Sequence, residues 1–154
     1  MQEAVKSIYG NKVRVRACGL CWDENRLLVV SHAGLGPADF WAPPGGGVEF
    51  GFSVHQNLER EFLEETGLAV EVGPFRFVCE VVRPPLHAVE LFFQVTSTGG
   101  QLRTGTDPEL NIIKDVRFMR WEELMAIPPS DRHGIFQLAR SAEDLREMSG
   151  FHRI

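Results

Sequence analysis

Cysteine is scarce in this chain: Cys18, Cys21 and Cys79 are the only three in 154 residues. The count is odd, and the N-terminus, MQEAVKSIYGNK, lacks the apolar core of a signal peptide. Reduced thiols and a cytoplasmic location are therefore the default expectation. Cys18 and Cys21 have C-x2-C spacing, but no second pair completes a zinc site. Both lie in an alternating run, where residues i and i+3 face opposite ways, so buried strand cysteines are expected. Long apolar runs are also missing, which excludes a helical membrane span. So is a basic excess. The net charge of −5 argues against nonspecific binding to a nucleic acid polymer or an anionic membrane. Repeats and low-complexity blocks are absent. The rest is ordinary globular composition, 44% hydrophobic and 24% charged, at a length suited to one domain over residues 1–154.

Alternating, β-branched stretches predict strands over residues 13–20, 26–31, 69–72, 75–83, 88–96 and 112–119. Glycine- and proline-rich segments at 32–39, 73–74 and 99–107 read as loops. Residues 121–126 read as a short helix, stopped before Pro128-Pro129. Ser130 or Asp131 is placed to cap a C-terminal helix reaching about Glu147. Strands around one central helix, with a helix at the end, predict an α/β fold with a mixed sheet.

The most informative stretch is PPGGGVEFGFSVHQNLEREFLEETGL, residues 43–68. Ser53 is placed as an N-cap, and Gln56 completes a capping box. Gly67 can take the left-handed conformation that ends a helix. A helix is predicted over residues 54–66. Near its end stand Glu61, Glu64 and Glu65, within about 100° of arc on one face. Acids favour the start of a helix, where the dipole is positive. Like charges at this spacing also repel by roughly 0.2–0.5 kcal/mol per pair. Helix stability does not account for them, whereas a hard divalent cation held between them does. The competing reading is an amphipathic surface helix, with Val54, Leu58 and Phe62 facing the core and Arg60 pairing with Glu64. That reading leaves Gly45-Gly46-Gly47 and the crowded last turn unexplained.

This stretch resembles the signature of the Nudix hydrolase family, G-x5-E-x7-R-E-U-x-E-E-x-G-U, where U is bulky and apolar. Gly46, Arg60, Glu61, Phe62, Glu64, Glu65, Gly67 and Leu68 match at the correct spacings. Eight of nine fixed positions agree; the first glutamate is replaced by Phe52.

The resemblance implies a mixed β-sheet sandwiched between α-helices. It implies Mg²⁺-dependent hydrolysis of a phosphoanhydride in a nucleoside diphosphate linked to another moiety. By the same resemblance Glu61 and Glu65 are metal ligands, and Glu64 is a third ligand or a base acting through water. Arg60 orients a motif carboxylate, and Gly46 and Gly47 offer backbone groups to the metal or the phosphates. Carboxylate oxygens select hard cations, so Mg²⁺ leads and Mn²⁺ follows. A later loop could supply the general base instead, with Glu109 ahead of Glu90. Phe40, Trp41, Trp22 and Phe93 are candidates for stacking a base. Each competes with ordinary packing, as do His32, His55 and His87. Arg83 and Arg103 are conceivable phosphate contacts. A homodimer is expected by analogy alone.

Phe52 raises the alternative of a catalytically impaired module that binds a nucleotide or nucleotide-sugar as a sensor or partner. Phenylalanine cannot accept a hydrogen bond, so Arg60 must pair elsewhere, with Glu64 or a backbone carbonyl. Weakened hydrolysis is the expectation, with Phe52→Glu raising the rate if Arg60 is under-supported. Phe52 at a pocket rim could also stack on a base.

Overall fold

The structure is a computed structural model that describes residues 2–105 and 112–154. Its centre is β1 (Lys12–Asp23), which turns at Glu24, a residue with positive φ, into β2 (Arg26–His32). Two further strands flank β2: β3 (Phe40–Ala42) and β7 (Ile113–Arg120), both antiparallel to it. Along its other length β1 pairs in parallel with β6 (Leu86–Gly100) and antiparallel with β4 (Gly45–Gly47). β5 (Leu68–Arg83) forms a long hairpin with β6, and β8 (Gly150–Arg153) runs parallel to β5 at the edge. These eight strands form one mixed sheet, ordered β3-β2-β1-β6-β5-β8, with β4 on β1 and β7 on β2.

Strand alternation sends side chains into two cores. On one side α2 (Val54–Thr66) buries Leu58 and Phe62 among Ala17, Cys21, Leu28, Val30, Phe93 and Val95. On the other, Cys18, Leu20, Phe77 and Phe92 pack against the C-terminal helices. These are α3 (Trp121–Ala126), α4 (Ile135–Leu138) and α5 (Ala142–Glu147), which contribute Leu124, Ile135, Phe136 and Leu145. The sheet is thus sandwiched between helices, as the resemblance implied. Cys18 and Cys21 lie in different cores, as alternation requires, and all three cysteines are buried and free.

The predicted α2 forms over the expected residues. Ser53 Oγ accepts from Gln56 N, the Gln56 side chain accepts from Ser53 N, and Gly67 takes φ 78° at the C-terminus. Elsewhere tertiary contacts override the local pattern. The glycines at 45–47 form β4 instead of a loop, and a Cβ on Gly45 would stand 2.3 Å from the Ala17 carbonyl oxygen. Only glycine lets that strand approach β1 so closely. Gly73-Pro74 does not divide two strands. β5 absorbs it with a register shift between Val72 and Phe75, as a β-bulge does. The expected C-terminal helix is broken into a 3₁₀ turn (Pro129–Asp131), α4 and α5, and the cap belongs to Ser141, not Ser130 or Asp131. Two short elements lack a local signal. They are β8 and α1 (Glu3–Tyr9), whose Val5 is fully buried.

Candidate active site

The acids of α2 meet the glycines of β4 at one end of the sheet. Glu65 is 4% exposed, and its Oε2 accepts from Gly45 N at 3.2 Å. Glu61 lies against Gly46 so closely that an added Cβ would stand 2.4 Å from its carboxylate. Glu64 is half-buried on the same face. These residues border a cleft of about 470 Å³, within the usual range for a small-molecule site. Gly46, Gly47, Glu61, Glu64 and Glu65 all line it. The donor set is all oxygen, which suits a hard divalent cation. Among the described residues, no three Asp, Glu, His or Cys side chains converge as a ready-made metal cage.

The cleft also carries positive charge. Arg14, Arg16 and Arg83 line it, together with His32, His87 and His133. The first two come from an inversion in β1. In the run KVRVRA, Val13 and Val15 are 60% and 47% exposed, while Arg14 and Arg16 turn into the cleft. Arg14 rests over the Tyr9 ring at 3.8 Å, with Gly47 leaving room beside its guanidinium.

Arg16 and Glu90 form an ion pair in which the carboxylate is buried and the guanidinium partly so. His133 Nε2 lies 2.6 Å from the other Glu90 oxygen, while His133 Nδ1 accepts from Ile135 N at 3.1 Å. The His133 proton therefore sits on Nε2 and is donated to Glu90. Burial alone would raise the Glu90 pKa, but His133 and Arg16 outweigh it and hold the carboxyl at about 2. Burial likewise opposes the charge on Arg16, yet Glu90, Glu65 and Glu61 raise its pKa. Glu90 is thus ionised with both oxygens engaged. It anchors Arg16, and its burial among Arg16, Cys18 and His133 suits that structural role better than the role of reserve base.

Arg60 is well supported despite Phe52. Its Nη1 donates to Glu49 Oε2 at 3.1 Å and its Nη2 to Asn57 Oδ1 at 3.1 Å. Glu64 and Glu61 lie further off, at 3.8 and 3.9 Å. The expected partner Glu64 is therefore secondary to Glu49. Phe52 is 52% exposed outside the cleft lining, with its ring 5.5 Å from the Arg60 guanidinium.

The aromatic expectations divide. On β3, alternation turns Phe40 and Ala42 to the cleft and Trp41 toward the core beneath α3–α5, where Arg117 stacks on it at 5.3 Å. Trp22 packs under Arg146 at 4.3 Å, and Phe93 is buried beside α2. His55 packs edge-on against Phe93, and Arg103 lies at the end of α2, with its N–H on the Thr66 carbonyl. Glu109 lies outside the described residues. The motif does not reach Arg14, Arg16 and His133, and it leaves Glu49 as one of its variable positions. The available signal was the R-x-R pair alternating with valines on a strand. Nothing in the local pattern marked His133.

A NUDIX domain family model matches residues 11–138. The chain is 30% identical over 123 residues to an ADP-ribose pyrophosphatase of Methanocaldococcus jannaschii, covering 68% of this chain and 72% of that one. It is 29% identical over 94 residues to the putative ADP-ribose pyrophosphatase YjhB of Bacillus subtilis, covering 58% and 44%. Among solved structures, a NUDIX hydrolase from Nitrosomonas europaea superposes with TM-score 0.75 at 18% identity, covering 90% of this chain and 93% of that one. That likeness establishes the shared fold. With an acid-bearing helix against a glycine strand at an arginine-lined cleft, and a family match over most of its length, the chain belongs to the NUDIX family and is a hydrolase acting on phosphoanhydrides.

Proposed function

We propose that the protein is a Mg²⁺-dependent pyrophosphohydrolase that cleaves a nucleoside diphosphate linked to another moiety, with ADP-ribose the first substrate to test. The observation that carries this reading is the pairing of two opposite charge sets in one cleft. Glu61, Glu64 and Glu65 supply hard oxygen donors, and Arg14, Arg16 and Arg83 supply cations suited to phosphate oxygens. ADP-ribose is suggested by the names of the two curated relatives.

Glu61 and Glu65 would hold the ion. A pair of carboxylates is enough, because Mg²⁺ commonly keeps waters and substrate phosphates as its other ligands. When bound, the ion would neutralise phosphate oxygens and lower the pKa of the attacking water. The chain's own residues do the rest. Arg14 and Arg83 orient the diphosphate, and Arg16 is held toward the acids by Glu90. Water attacks one phosphorus, the bridging P–O bond breaks, and each product leaves as a monophosphate. Glu64, more open than Glu65, would take the water's proton and return it to solvent. Phe40 and Tyr9 are the aromatic residues lining the cleft beside these groups.

The test is a panel of ADP-ribose, a nucleotide sugar, a dinucleoside polyphosphate and an oxidised nucleoside triphosphate, with products resolved by mass. Mg²⁺-dependent release of a nucleoside monophosphate or phosphate is expected, reduced roughly 10–100-fold or more by Glu65→Gln and by Glu64→Gln. Binding of a nucleotide without turnover anywhere in the panel would refute the proposal.

A further inference from the structure

We infer that Glu49 takes over the work of the glutamate missing at position 52 and acts as the positioning residue for Arg60. The inference rests on the hydrolase reading above. Arg60 immediately precedes the cleft acids along α2 and sits 3.9 and 3.8 Å from the Glu61 and Glu64 carboxylates. An arginine so close to two metal-type acids can either steady them or neutralise them. Which one it does depends on where its own charge is satisfied. Glu49 and Asn57 satisfy it at 3.1 Å each, closer than either acid, and Glu49 lines the same cleft.

The loop is built to present Glu49. Val48 N donates to the Val15 carbonyl at 2.9 Å, which fixes the loop to β1. Glu49 N donates to Asn57 Oδ1 at 3.0 Å, the same oxygen that receives Arg60 Nη2. Asn57 is itself buried and anchored, its Nδ2 donating to the Ser53 carbonyl at 2.8 Å. A tight turn follows, with Phe52 N donating to the Glu49 carbonyl at 3.2 Å and Gly51 at φ 89°. Glycine at the third position of such a turn is what a type II geometry demands. The turn brings Glu49 and Phe52 to the same guanidinium, one by its carboxylate and the other by its ring at 5.5 Å. Position 52 is therefore within reach of Arg60, and the acid that reaches it in this chain stands three residues upstream. Phe50, fully exposed on the same turn, shows that the loop is not held there by apolar burial.

Two consequences separate this assignment from a casual surface ion pair. Phe52→Glu should give no gain over wild type, because Arg60 already has its acid. Glu49→Ala should lower kcat about 10-fold with a smaller change in KM, as loss of a partner that orients metal ligands commonly does. It should weaken Mn²⁺ affinity by a similar factor, read by titration in the absence of substrate. The double variant Glu49→Ala/Phe52→Glu should recover most of both, since the acid returns to the family position. Glu49 is exposed enough that its removal leaves the fold intact, which the thermal midpoint of each variant checks. A Glu49→Ala enzyme matching wild type, or a double variant as impaired as Glu49→Ala alone, would overturn the assignment. Should the wild type turn over nothing in the panel, the hydrolase reading fails by itself, and the Mn²⁺ titrations alone decide the role of Glu49.

Discussion

Replacing Glu90 by glutamine tests the buried charge cluster most directly. Glu90 is 2% exposed and binds Arg16 through one oxygen and His133 through the other. The substitution keeps the shape but removes the nearest counter-charge from the Arg16 guanidinium, which is only 21% exposed. Removing one partner of a buried ion pair typically costs about 3–5 kcal/mol. For a domain of this size, each kcal/mol lowers the unfolding midpoint by about 2–4 °C, so a fall of about 6–20 °C is expected at neutral pH. The pH dependence is the sharper part. The Glu90 carboxyl is held at about 2, below its ordinary 4.5, by His133 and Arg16 against the opposing effect of burial. A depressed carboxylate pKa stabilises the fold fully above the unfolded value and loses that contribution as pH falls toward the folded value. The gap between wild type and Glu90→Gln should therefore be full above about pH 4.5 and less than half by about pH 3. Urea unfolding of both proteins at pH 7, 5, 4 and 3 measures it. A gap under about 1 kcal/mol at pH 7, or one unchanged at pH 3, would refute the account of Glu90 as a charged anchor.

Two other outcomes follow from the structure. Gly67→Ala should destabilise by about 2 kcal/mol or more, because the site needs positive φ. An added Cβ there would also stand 2.3 Å from the Gln101 carbonyl oxygen. A denaturation midpoint equal to wild type would count against it. Burial holds the thiols of Cys18, Cys21 and Cys79 in their protonated form, Cys21 rising to about 11 and Cys79 to about 12. A thiol reagent at pH 8 should label none of them in the native protein and all three in denaturant. Fast native labelling of any one would contradict its packing.

Alpha-helix 2 was legible because its signals are local. Ser53, Gln56 and Gly67 act within a few residues, and the four-residue spacing of Val54, Leu58 and Phe62 names the buried face. The same locality exposed the acids, which crowd the helix end where its dipole disfavours them. β4 was not legible, because glycines carry no pattern and only pairing with Arg16–Cys18 makes them a strand. β8 and α1 failed for a related reason: each is short and takes its stability from an existing surface. Glu49 was invisible because its partner lies eleven residues away across a turn, beyond helical or strand spacing.

The order of residues alone thus settled the family and the acid-bearing helix, since each depends on spacing along one element. Tertiary structure decided which cations face those acids, that Trp41 turns away while Phe40 turns in, and that Glu90 is an anchor. Those outcomes depend on β1, β6 and the segment around His133 meeting in space. Strand pairing and burial determine that meeting, and no short window of sequence encodes either.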